Sequence, residues 1–310
     1  MKYHGNMIQP PKFAWMNGKF VRWDDANIHF LTHSFHYGGA IFEGIRCNKT
    51  PQGPGIFRLE EHLRRFYNSA KIMQMRIPYT FEEAYKACVE LVKRNDLDAC
   101  YIRPLAYFHG AMGVGTLDCA VGMGIAAWQW GSYLGKKGEE KGIRVKISSF
   151  SSHDVNILMT KSKTAANYAT FGLAKNEARL AGYDEAIMLD PMGFVSEGSA
   201  ENVFMVRDGY LMTPSKANIL EGVTRDSIIE IARDLKIPFK EEKFSRDMLY
   251  TADEAFLCGT ASEVVPIDTV DDRRIGTGHP GPITKKLQQK FFDAMYGKDK
   301  KYFKWLEFVK

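Results

Sequence analysis

A β-hairpin is predicted near the start of the chain, where apolar and polar residues alternate. The segments Phe13–Met16 and Lys19–Arg22 flank Asn17-Gly18, a residue pair that favours tight hairpin turns. Beyond residue 58 the apolar spacing lengthens to that of a helix, whose buried face would carry Leu59, Leu63, Phe66, Ala70 and Met73. The first part of the chain therefore combines a hairpin with an amphipathic helix.

Strands and helices alternate along the rest of the chain, a pattern that is typical of an α+β fold. Strands are predicted at 101–108, 120–130, 142–150, 185–189, 202–206, 210–213, 254–258 and 264–270. Further helices are predicted from 81 onward and at 170–181, 224–235 and 283–295. Asp208-Gly209 marks another hairpin, and the glycine-rich, charged segment 131–138 predicts an interdomain linker.

Composition narrows the class of protein. The 310 residues suggest two domains, and 45% apolar with 25% charged residues is ordinary for a globular protein. The 42 basic and 37 acidic side chains are scattered along the chain, so the net charge of +5 does not predict nucleic-acid binding. The five cysteines are widely spaced, which predicts reduced thiols rather than disulfides. No apolar run is long enough for a signal peptide or a membrane span, so a cytoplasmic protein is expected.

Several common catalytic motifs do not occur in the sequence. It contains no GxSxG, HExxH or phosphate-binding P-loop segment. Hydrolase, metalloprotease and nucleotide-binding interpretations therefore lack their main support, and no metal site is predicted.

A lysine-containing segment, Thr160-Lys-Ser-Lys-Thr-Ala-Ala-Asn-Tyr168, is the first candidate for chemistry. A lysine enclosed by small, neutral residues loses its proton more easily and becomes a nucleophile. Two surface lysines before a helix would produce the same pattern. Spacing does not choose between Lys161 and Lys163, since both would lie on one face of a strand.

Two further segments could complement a reactive lysine. Glu197 and Glu201 lie in a small-residue loop, where a carboxylate could face a cationic ring nitrogen or simply be solvated. Thr224 is predicted as the N-cap of a helix with Asp226 in its first turn, and such a helix start binds anions readily. Gly259-Thr260-Ala261 predicts a second turn with free amides. A lysine, a carboxylate and a phosphate cradle are what pyridoxal phosphate requires.

Seven segments in this order resemble the branched-chain amino-acid aminotransferases, which are fold-type-IV pyridoxal-phosphate enzymes. They are His36-Tyr-Gly-Gly-Ala-Ile-Phe-Glu-Gly-Ile-Arg46, Tyr101-Ile-Arg-Pro104, Trp130-Gly-Ser-Tyr133, Lys163-Thr-Ala-Ala-Asn-Tyr168, Glu197-Gly198 with Glu201-Asn202, Gly222-Val-Thr-Arg225 and Cys258-Gly-Thr-Ala261. The resemblance implies an α+β, two-domain protein. Its small N-terminal α/β domain would span 1–128, with an interdomain loop at 129–137. Its large cofactor-binding domain, a mixed sheet or pseudo-barrel, would span 138–310.

The resemblance also implies a cofactor and the residues that hold it. Pyridoxal 5'-phosphate would bind covalently to Lys163, the catalytic residue, and its ring nitrogen would pair with Glu197. The remaining cofactor contacts implied by the resemblance are Arg58, Tyr168, Leu220, Val223, Thr224 and Thr260. The implied reaction moves the amino group of L-leucine, L-isoleucine or L-valine to 2-oxoglutarate.

The substrate pocket implied by the resemblance must accept both an apolar side chain and the γ-carboxylate of glutamate. An unpaired buried carboxylate would cost several kcal/mol, so polar groups are needed beside the apolar wall. The implied apolar and aromatic positions are Phe42, Tyr101, Trp130, Tyr168 and Ala261. The implied polar positions are Tyr37, Arg103, Tyr133 and Thr260. We expect Arg103 and the two tyrosine hydroxyls to receive the γ-carboxylate.

Other implications of the resemblance leave alternatives open. Tyr37 and Val114 match positions that family members contribute to the neighbouring subunit, which implies a homodimer or a higher homo-oligomer. Lys161 is an additional amine beside Lys163 to which the resemblance gives no role. Rival activities on the same scaffold are D-amino-acid or (R)-amine transamination and an aminodeoxychorismate lyase reaction. A non-enzymatic binding protein is the alternative from another class.

Overall fold

Two compact units make up the protein in the computed structural model, which describes residues 9–131 and 135–310. The first unit contains the described residues up to Gly131, together with Ser162–Ala166 and Asp293–Lys310. The second contains residues 135–161 and Asn167–Phe292. Each unit is therefore built from separate stretches of chain, and the contiguous domain ranges expected from the sequence stay a prediction.

Strands and helices follow one another throughout both units. In chain order the strands are β1 (Phe13–Met16), β2 (Lys19–Arg22), β3 (Ile41–Phe42), β4 (Ile45–Thr50), β5 (Gly53–Phe57), β6 (Cys100–His109), β7 (Ala120–Trp128), β8 (Ile143–Ile147), β9 (Glu185–Leu189), β10 (Val195–Gly198), β11 (Asn202–Arg207), β12 (Tyr210–Thr213), β13 (Phe239–Glu241), β14 (Glu254–Gly259), β15 (Glu263–Val270), β16 (Arg273–Arg274) and β17 (Leu306–Phe308). The α-helices are α1 (His33–Tyr37), α2 (Leu59–Ile72), α3 (Phe81–Arg94), α4 (Gly135–Lys141), α5 (Asn167–Leu180), α6 (Val223–Asp234), α7 (Arg246–Tyr250) and α8 (Pro282–Met295). Short 3₁₀ segments occur at Trp23–Asp25, Lys216–Asn218 and Lys300–Trp305.

An antiparallel sheet forms the first unit. Its strand order is β17-β5-β4-β6-β7-β1-β2, and β3 pairs with β6 beside this path. The predicted hairpin is confirmed, because β1 pairs with β2 and both Asn17 and Gly18 have the positive φ that its tight turn requires. At the opposite edge, Leu306 of β17 lies opposite Phe57 of β5.

The core of the first unit lies between its sheet and two helices. The predicted apolar face of α2 is confirmed, with Leu59, Leu63, Phe66 and Ala70 all buried, and Met73 follows the last helical residue. α3 starts at a capping box in which Thr80 and Glu83 bond each other's backbone amides. The two helices therefore cover the sheet with apolar residues at helical spacing.

A closed six-stranded barrel forms the centre of the second unit. The path β10-β9-β8-β15-β14-β11 returns on itself because β10 also pairs with β11. Strands β12 and β13 extend the sheet beyond β11, and β8 pairs in parallel with both β9 and β15. Val145, Val203, Leu257 and Val265 are fully buried in the core of this unit. The mixed sheet with a pseudo-barrel implied by the resemblance is thus confirmed.

The predicted N-cap of α6, Thr224, is wrong by two positions. Gly222 is the N-cap, since it is the last residue in extended conformation, and Thr224 already lies in the first turn. The predicted linker 131–138 overlaps α4, while residues 132–134 lie outside the described part of the chain. Within the ranges 9–131 and 135–310, no helix has the length and apolar character required to cross a membrane.

Candidate active site

The backbone around Lys163 is held by the first unit. The Lys163 amide donates to Oγ of Ser69 on α2 at 3.0 Å, and the Phe42 amide donates to the Lys163 carbonyl at 3.0 Å. One residue further on, Thr164 forms a bridge with Ile41 of β3. The lysine is therefore fixed between a helix and the edge of a sheet.

The Lys163 side chain lies in an environment that favours its neutral form. It is partly buried, and its amine lies 4.9 Å from the centroid of the Phe42 ring. Burial lowers the pKa of Lys163 to about 8, and the positive charge of Arg65 acts in the same direction, while Glu43 opposes them. At a pKa of about 8 a useful fraction of the amine is unprotonated near neutral pH, as a nucleophile or base requires.

A buried carboxylate cluster adjoins this lysine. Glu43 is fully buried, and its two oxygens accept hydrogen bonds from Arg65 Nε at 2.6 Å and Arg65 Nη2 at 2.9 Å. His62 Nδ1 lies 2.8 Å from Glu43 Oε2. Burial alone would raise the pKa of Glu43, but Arg65 and His62 together hold it well below its ordinary value. Burial lowers the pKa of His62, so the ring is neutral and its Nδ1–H donates to Glu43.

Aromatic rings surround the guanidinium of Arg103. Its central carbon lies 4.8 Å from the ring centroid of Phe42, 5.4 Å from that of Tyr101 and 5.8 Å from that of Trp128. Its Nε is buried and has no hydrogen-bond partner among the residues that the structure describes. A cation stacked on aromatic faces with an unused donor is suited to bind a carboxylate.

Gly44 allows Tyr101 to take its position. A Cβ atom on Gly44 would lie 1.8 Å from the Tyr101 hydroxyl oxygen, so no other residue fits there without moving the ring. Tyr101 is buried and its ring packs against Trp128 at 5.4 Å and Trp130 at 5.1 Å between centroids. The carbonyl of Trp130 accepts a hydrogen bond from Arg46 at 3.2 Å. The motif around Gly44 thus positions the aromatic residues that the sequence singled out.

Two of the predicted substrate residues lie on the surface of the first unit. Tyr37 is 43% exposed and Val114 is 84% exposed. Their segments are joined within the unit, since His33 Nε2 donates to the Gly113 carbonyl at 2.7 Å. The structure therefore places both side chains where a second molecule could reach them. Tyr133 lies outside the described residues.

Arg58 and Arg65 have different contacts, although both belong to the stretch around α2. Arg58 Nε donates to Glu61 at 2.6 Å, and its guanidinium lies 5.0 Å from the Trp305 ring centroid. Of these two arginines, Arg65 is the one whose charge acts on Lys163, and the sequence analysis missed it together with Glu43 and His62. The i, i+3 spacing of His62 and Arg65 places them on one face of the predicted helix, and it could have indicated that the two side chains act together.

Strand pairing in the second unit brings together the other predicted residues. Glu197 on β10 lies opposite Asn202 on β11, which in turn lies opposite Cys258 on β14. The buried Glu197 carboxylate accepts a hydrogen bond from the Leu220 amide at 3.4 Å, and Asn202 Nδ2 donates to the Leu220 carbonyl at 3.1 Å. One end of the barrel therefore carries Glu197 next to the segment that leads into α6.

The start of α6 offers backbone amides to a ligand. No described side chain caps this helix at Gly222, so Val223 and Thr224 begin the helix without a side-chain acceptor. A Cβ on Gly222 would lie 2.0 Å from Asn202 Oδ1, which explains the glycine. Thr260 and Ala261 directly follow β14, and the buried hydroxyl of Ser262 beside them has no partner among the described residues.

Tyr168 and Lys161 complete the second unit's candidates. Tyr168 lies in the first turn of α5 and is partly buried, with its ring edge-on to Phe171 at 5.3 Å between centroids. Lys161 donates to two backbone carbonyls, those of Lys216 and Ile219. The contacts of Lys161 and Lys163 therefore differ, and they distinguish the two lysines where the spacing in the sequence does not.

These groups fit a phosphorylated aldehyde cofactor with a ring nitrogen. An amine of lowered pKa can bind the aldehyde, a buried carboxylate can pair with the nitrogen, and an uncapped helix start can bind the phosphate.

Comparison with known proteins identifies a consistent set of relatives. Residues 40–270 match the family model described as amino-transferase class IV. The branched-chain-amino-acid aminotransferase of Pseudomonas aeruginosa is 45% identical over 297 residues, covering 96% of this chain and 97% of that protein. The crystal structure of the T.th. branched-chain amino acid aminotransferase with pyridoxamine 5'-phosphate has a TM-score of 0.95 at 45% identity, covering 98% of this chain and 100% of that one. The same T.th. protein complexed with N-(5'-phosphopyridoxyl)-L-glutamate has a TM-score of 0.93 at 43% identity, with the same coverage.

Proposed function

This chain belongs to the class IV aminotransferases, and from that membership we propose that Lys163 is its catalytic lysine and Glu197 the partner of the cofactor's ring nitrogen. Its reaction is the transamination of branched-chain amino acids with pyridoxal phosphate as cofactor. The observation that carries the assignment of Lys163 is its lowered pKa, about 8, beside Arg65. The relatives do not favour the D-amino-acid, amine or lyase alternatives.

Bound pyridoxal phosphate supplies an electron sink that acidifies the Cα–H of a substrate amino acid. The chain's own residues then handle protons and charge. Lys163 Nζ, once free, accepts the Cα proton, and its lowered pKa makes this transfer feasible near neutral pH. The Glu197 carboxylate keeps the ring nitrogen protonated, because a nearby negative charge favours the cationic form. The Tyr168 hydroxyl is assigned to the cofactor's phenolic oxygen.

The phosphate is assigned to the start of α6 and to one arginine. The amides of Val223 and Thr224 donate to it, with the Thr260 hydroxyl as a further donor and Leu220 in contact with the cofactor. Arg58 supplies the positive charge. Support comes from its buried side chain, which is charged and lies directly before α2.

The substrate side chain is assigned to an apolar wall with polar groups at one end. Phe42, Tyr101, Trp130 and Ala261 form the apolar wall, and Arg103 receives the γ-carboxylate of glutamate and 2-oxoglutarate. Tyr37, Tyr133 and Thr260 add hydroxyl groups. Support comes from the unused Nε of Arg103 and from the L-glutamate moiety of the compound bound to the T.th. relative.

We further propose that two copies of the chain associate through an apolar surface of the first unit. This surface, defined by Phe30, Leu31, Phe35, Val114 and Leu117, is exposed by 52–87% in the single chain. Apolar patches of this kind are typical of protein interfaces. Tyr37 and Val114 would then belong to the partner's site, as the resemblance implies. The five free cysteines suit a cytoplasmic location.

The visible absorption of the purified protein tests this function. We expect a band from the lysine-bound cofactor that bleaches when L-leucine is added without a keto acid and persists with D-leucine. Lys163→Ala should abolish bleaching, and borohydride reduction of the wild type should leave the cofactor on the peptide containing Lys163. Lys49→Ala, at an exposed lysine of the same unit, is the control and should behave as wild type. A coloured protein that ignores L-leucine would contradict the proposal.

A further inference from the structure

A short loop, residues 216–221, lies in the connection between β12 and α6 and forms hydrogen bonds along its length. It begins with the 3₁₀ segment Lys216–Asn218. Asn218 Nδ2 donates to Asp190 Oδ2 at 3.1 Å, and Ser196 Oγ donates to the Asn218 carbonyl at 3.4 Å. The Leu220 amide donates a hydrogen bond to Glu197, and the Leu220 carbonyl accepts one from Asn202. This loop is therefore the backbone link between Glu197 and the start of α6.

Lys161 holds two carbonyls of this loop. Its Nζ donates to the Lys216 carbonyl and, at 2.8 Å, to the Ile219 carbonyl. These two carbonyls lie at the beginning of the 3₁₀ segment and just after its end, so one ammonium group spans the turn. A charged donor makes a stronger hydrogen bond to a carbonyl than a neutral one does.

Two carboxylates near Lys161, those of Glu221 and Glu197, favour its ammonium form. Glu221 Oε1 lies 4.0 Å from its Nζ, and Glu221 Oε2 lies 3.5 Å from Lys216 Nζ. Burial lowers the pKa of Lys161, while Glu221 and Glu197 oppose that effect and Arg225 and Lys216 add to it. Since its amine already donates to two carbonyls and has a carboxylate oxygen nearby, Lys161 is not poised as a second nucleophile beside Lys163.

We propose that Lys161 is a positioning residue that holds the 216–221 loop so that the Leu220 amide meets Glu197 and the start of α6 faces the cofactor's phosphate. The inference rests on the proposed cofactor assignments of Glu197 and α6. Ile219, whose carbonyl Lys161 binds, immediately precedes Leu220, so loss of the ammonium frees the residue next to the Glu197 contact. Lys161 acts through the backbone and touches neither substrate nor cofactor.

Lys161→Met tests this role, because methionine retains the unbranched side chain and removes the donors. In the cofactor-free protein, we expect amide hydrogen exchange in the peptide that contains residues 216–221 to become about tenfold faster. The dissociation constant for pyridoxal phosphate should rise about tenfold. Exchange in β14, which lies in the core of the second unit, should be unchanged, which separates a local effect from global unfolding.

Lys216→Met is the matched control. It removes a lysine from the same loop and from the same glutamate, but leaves both carbonyl bonds of Lys161 in place. It should leave exchange and cofactor affinity at wild-type values. Either measurement staying at the wild-type value in Lys161→Met, or an equal change in Lys216→Met, would overturn the proposal. A wild type that binds no pyridoxal phosphate would instead contradict the proposed function, while the exchange measurement would still test the loop.

Discussion

Arg65 binds both carboxylate oxygens of Glu43. It lies one helical turn before Ser69, whose hydroxyl oxygen accepts a hydrogen bond from the Lys163 amide. The two contacts, 2.6 Å from Nε and 2.9 Å from Nη2, form a bidentate pair with a fully buried carboxylate. The Ser69 hydroxyl donates to the Arg65 carbonyl at 2.9 Å. The backbone and the charge balance of Lys163 therefore depend on the same cluster.

Replacement of Glu43 should change the titration of Lys163. In the cofactor-free wild type, the reactivity of Lys163 toward an amine-acetylating reagent should rise with pH to a midpoint of about 8. Below that pH, condensation with pyridoxal phosphate should slow about tenfold per unit, because only the unprotonated amine reacts. Glu43 raises the pKa of Lys163, so Glu43→Gln should move the midpoint below the wild-type value.

The same variant should also be less stable. The neutral amide of Glu43→Gln would leave Arg65 without its counter-charge, and breaking a buried pair costs about 3–5 kcal/mol of unfolding free energy. Urea denaturation measures this loss, and peptide mass spectrometry follows Lys163. Glu61→Gln is the control, since Glu61 lies on the same helix and pairs with Arg58. A midpoint that stays at the wild-type value in Glu43→Gln would contradict the assigned charge coupling.

Arg103 should discriminate between the two halves of the reaction. Arg103→Met keeps contact with the rings of Phe42 and Tyr101 but removes the cation. We expect kcat/KM for 2-oxoglutarate to fall about 10- to 100-fold, as loss of a charged hydrogen bond predicts, with a small change for leucine. Single-turnover rates of the two half-reactions provide the measurement. Arg144→Met, at an exposed arginine stacked on Tyr183, is the control. An equal loss of kcat/KM for both substrates in Arg103→Met would contradict the assignment of Arg103 to the γ-carboxylate.

The apolar surface of the first unit should control association. Leu117 is 87% exposed, and a carboxylate at this position would have to be desolvated in an interface. Leu117→Asp should therefore shift the protein toward monomers in analytical ultracentrifugation and reduce activity in parallel. Leu180→Asp places the same charge on a leucine that is 90% exposed on α5, and should not change the assembly. If both variants sediment as the wild type does, the surface is not the interface.

Local patterns predicted much of the fold, and the reasons are physical. The hairpin at Asn17-Gly18 and the face of α2 follow from turn chemistry and helical spacing, which act within a few residues. β4 escaped prediction because Arg46, Asn48 and Thr50 are polar residues that are nevertheless buried. β17 is too short for its apolar and polar pattern to predict a strand, and only its pairing with β5 defines it as one.

The candidate site was predictable where chemistry selects a residue type, and less so where packing decides. Lys163 and Glu197 lie in environments consistent with their expected roles. Sequence alone gives no direction for the side chains of Arg58 and Arg65, and it was the pairing of Arg65 with Glu43 that revealed the charge acting on Lys163. Likewise, only the contacts of Lys161 with the 216–221 loop distinguish it from Lys163.

The pairing of β17 with β5 also constrains the order in which the molecule can form. Leu306 meets Phe57 across about 250 residues of intervening chain, so the edge of the first sheet remains open throughout synthesis of the barrel strands. Unpaired strand edges are sites of aggregation. A ribosome-bound nascent chain must therefore carry an unpaired edge of β5 until β17 emerges, and folding of the first unit finishes only after the second has been made.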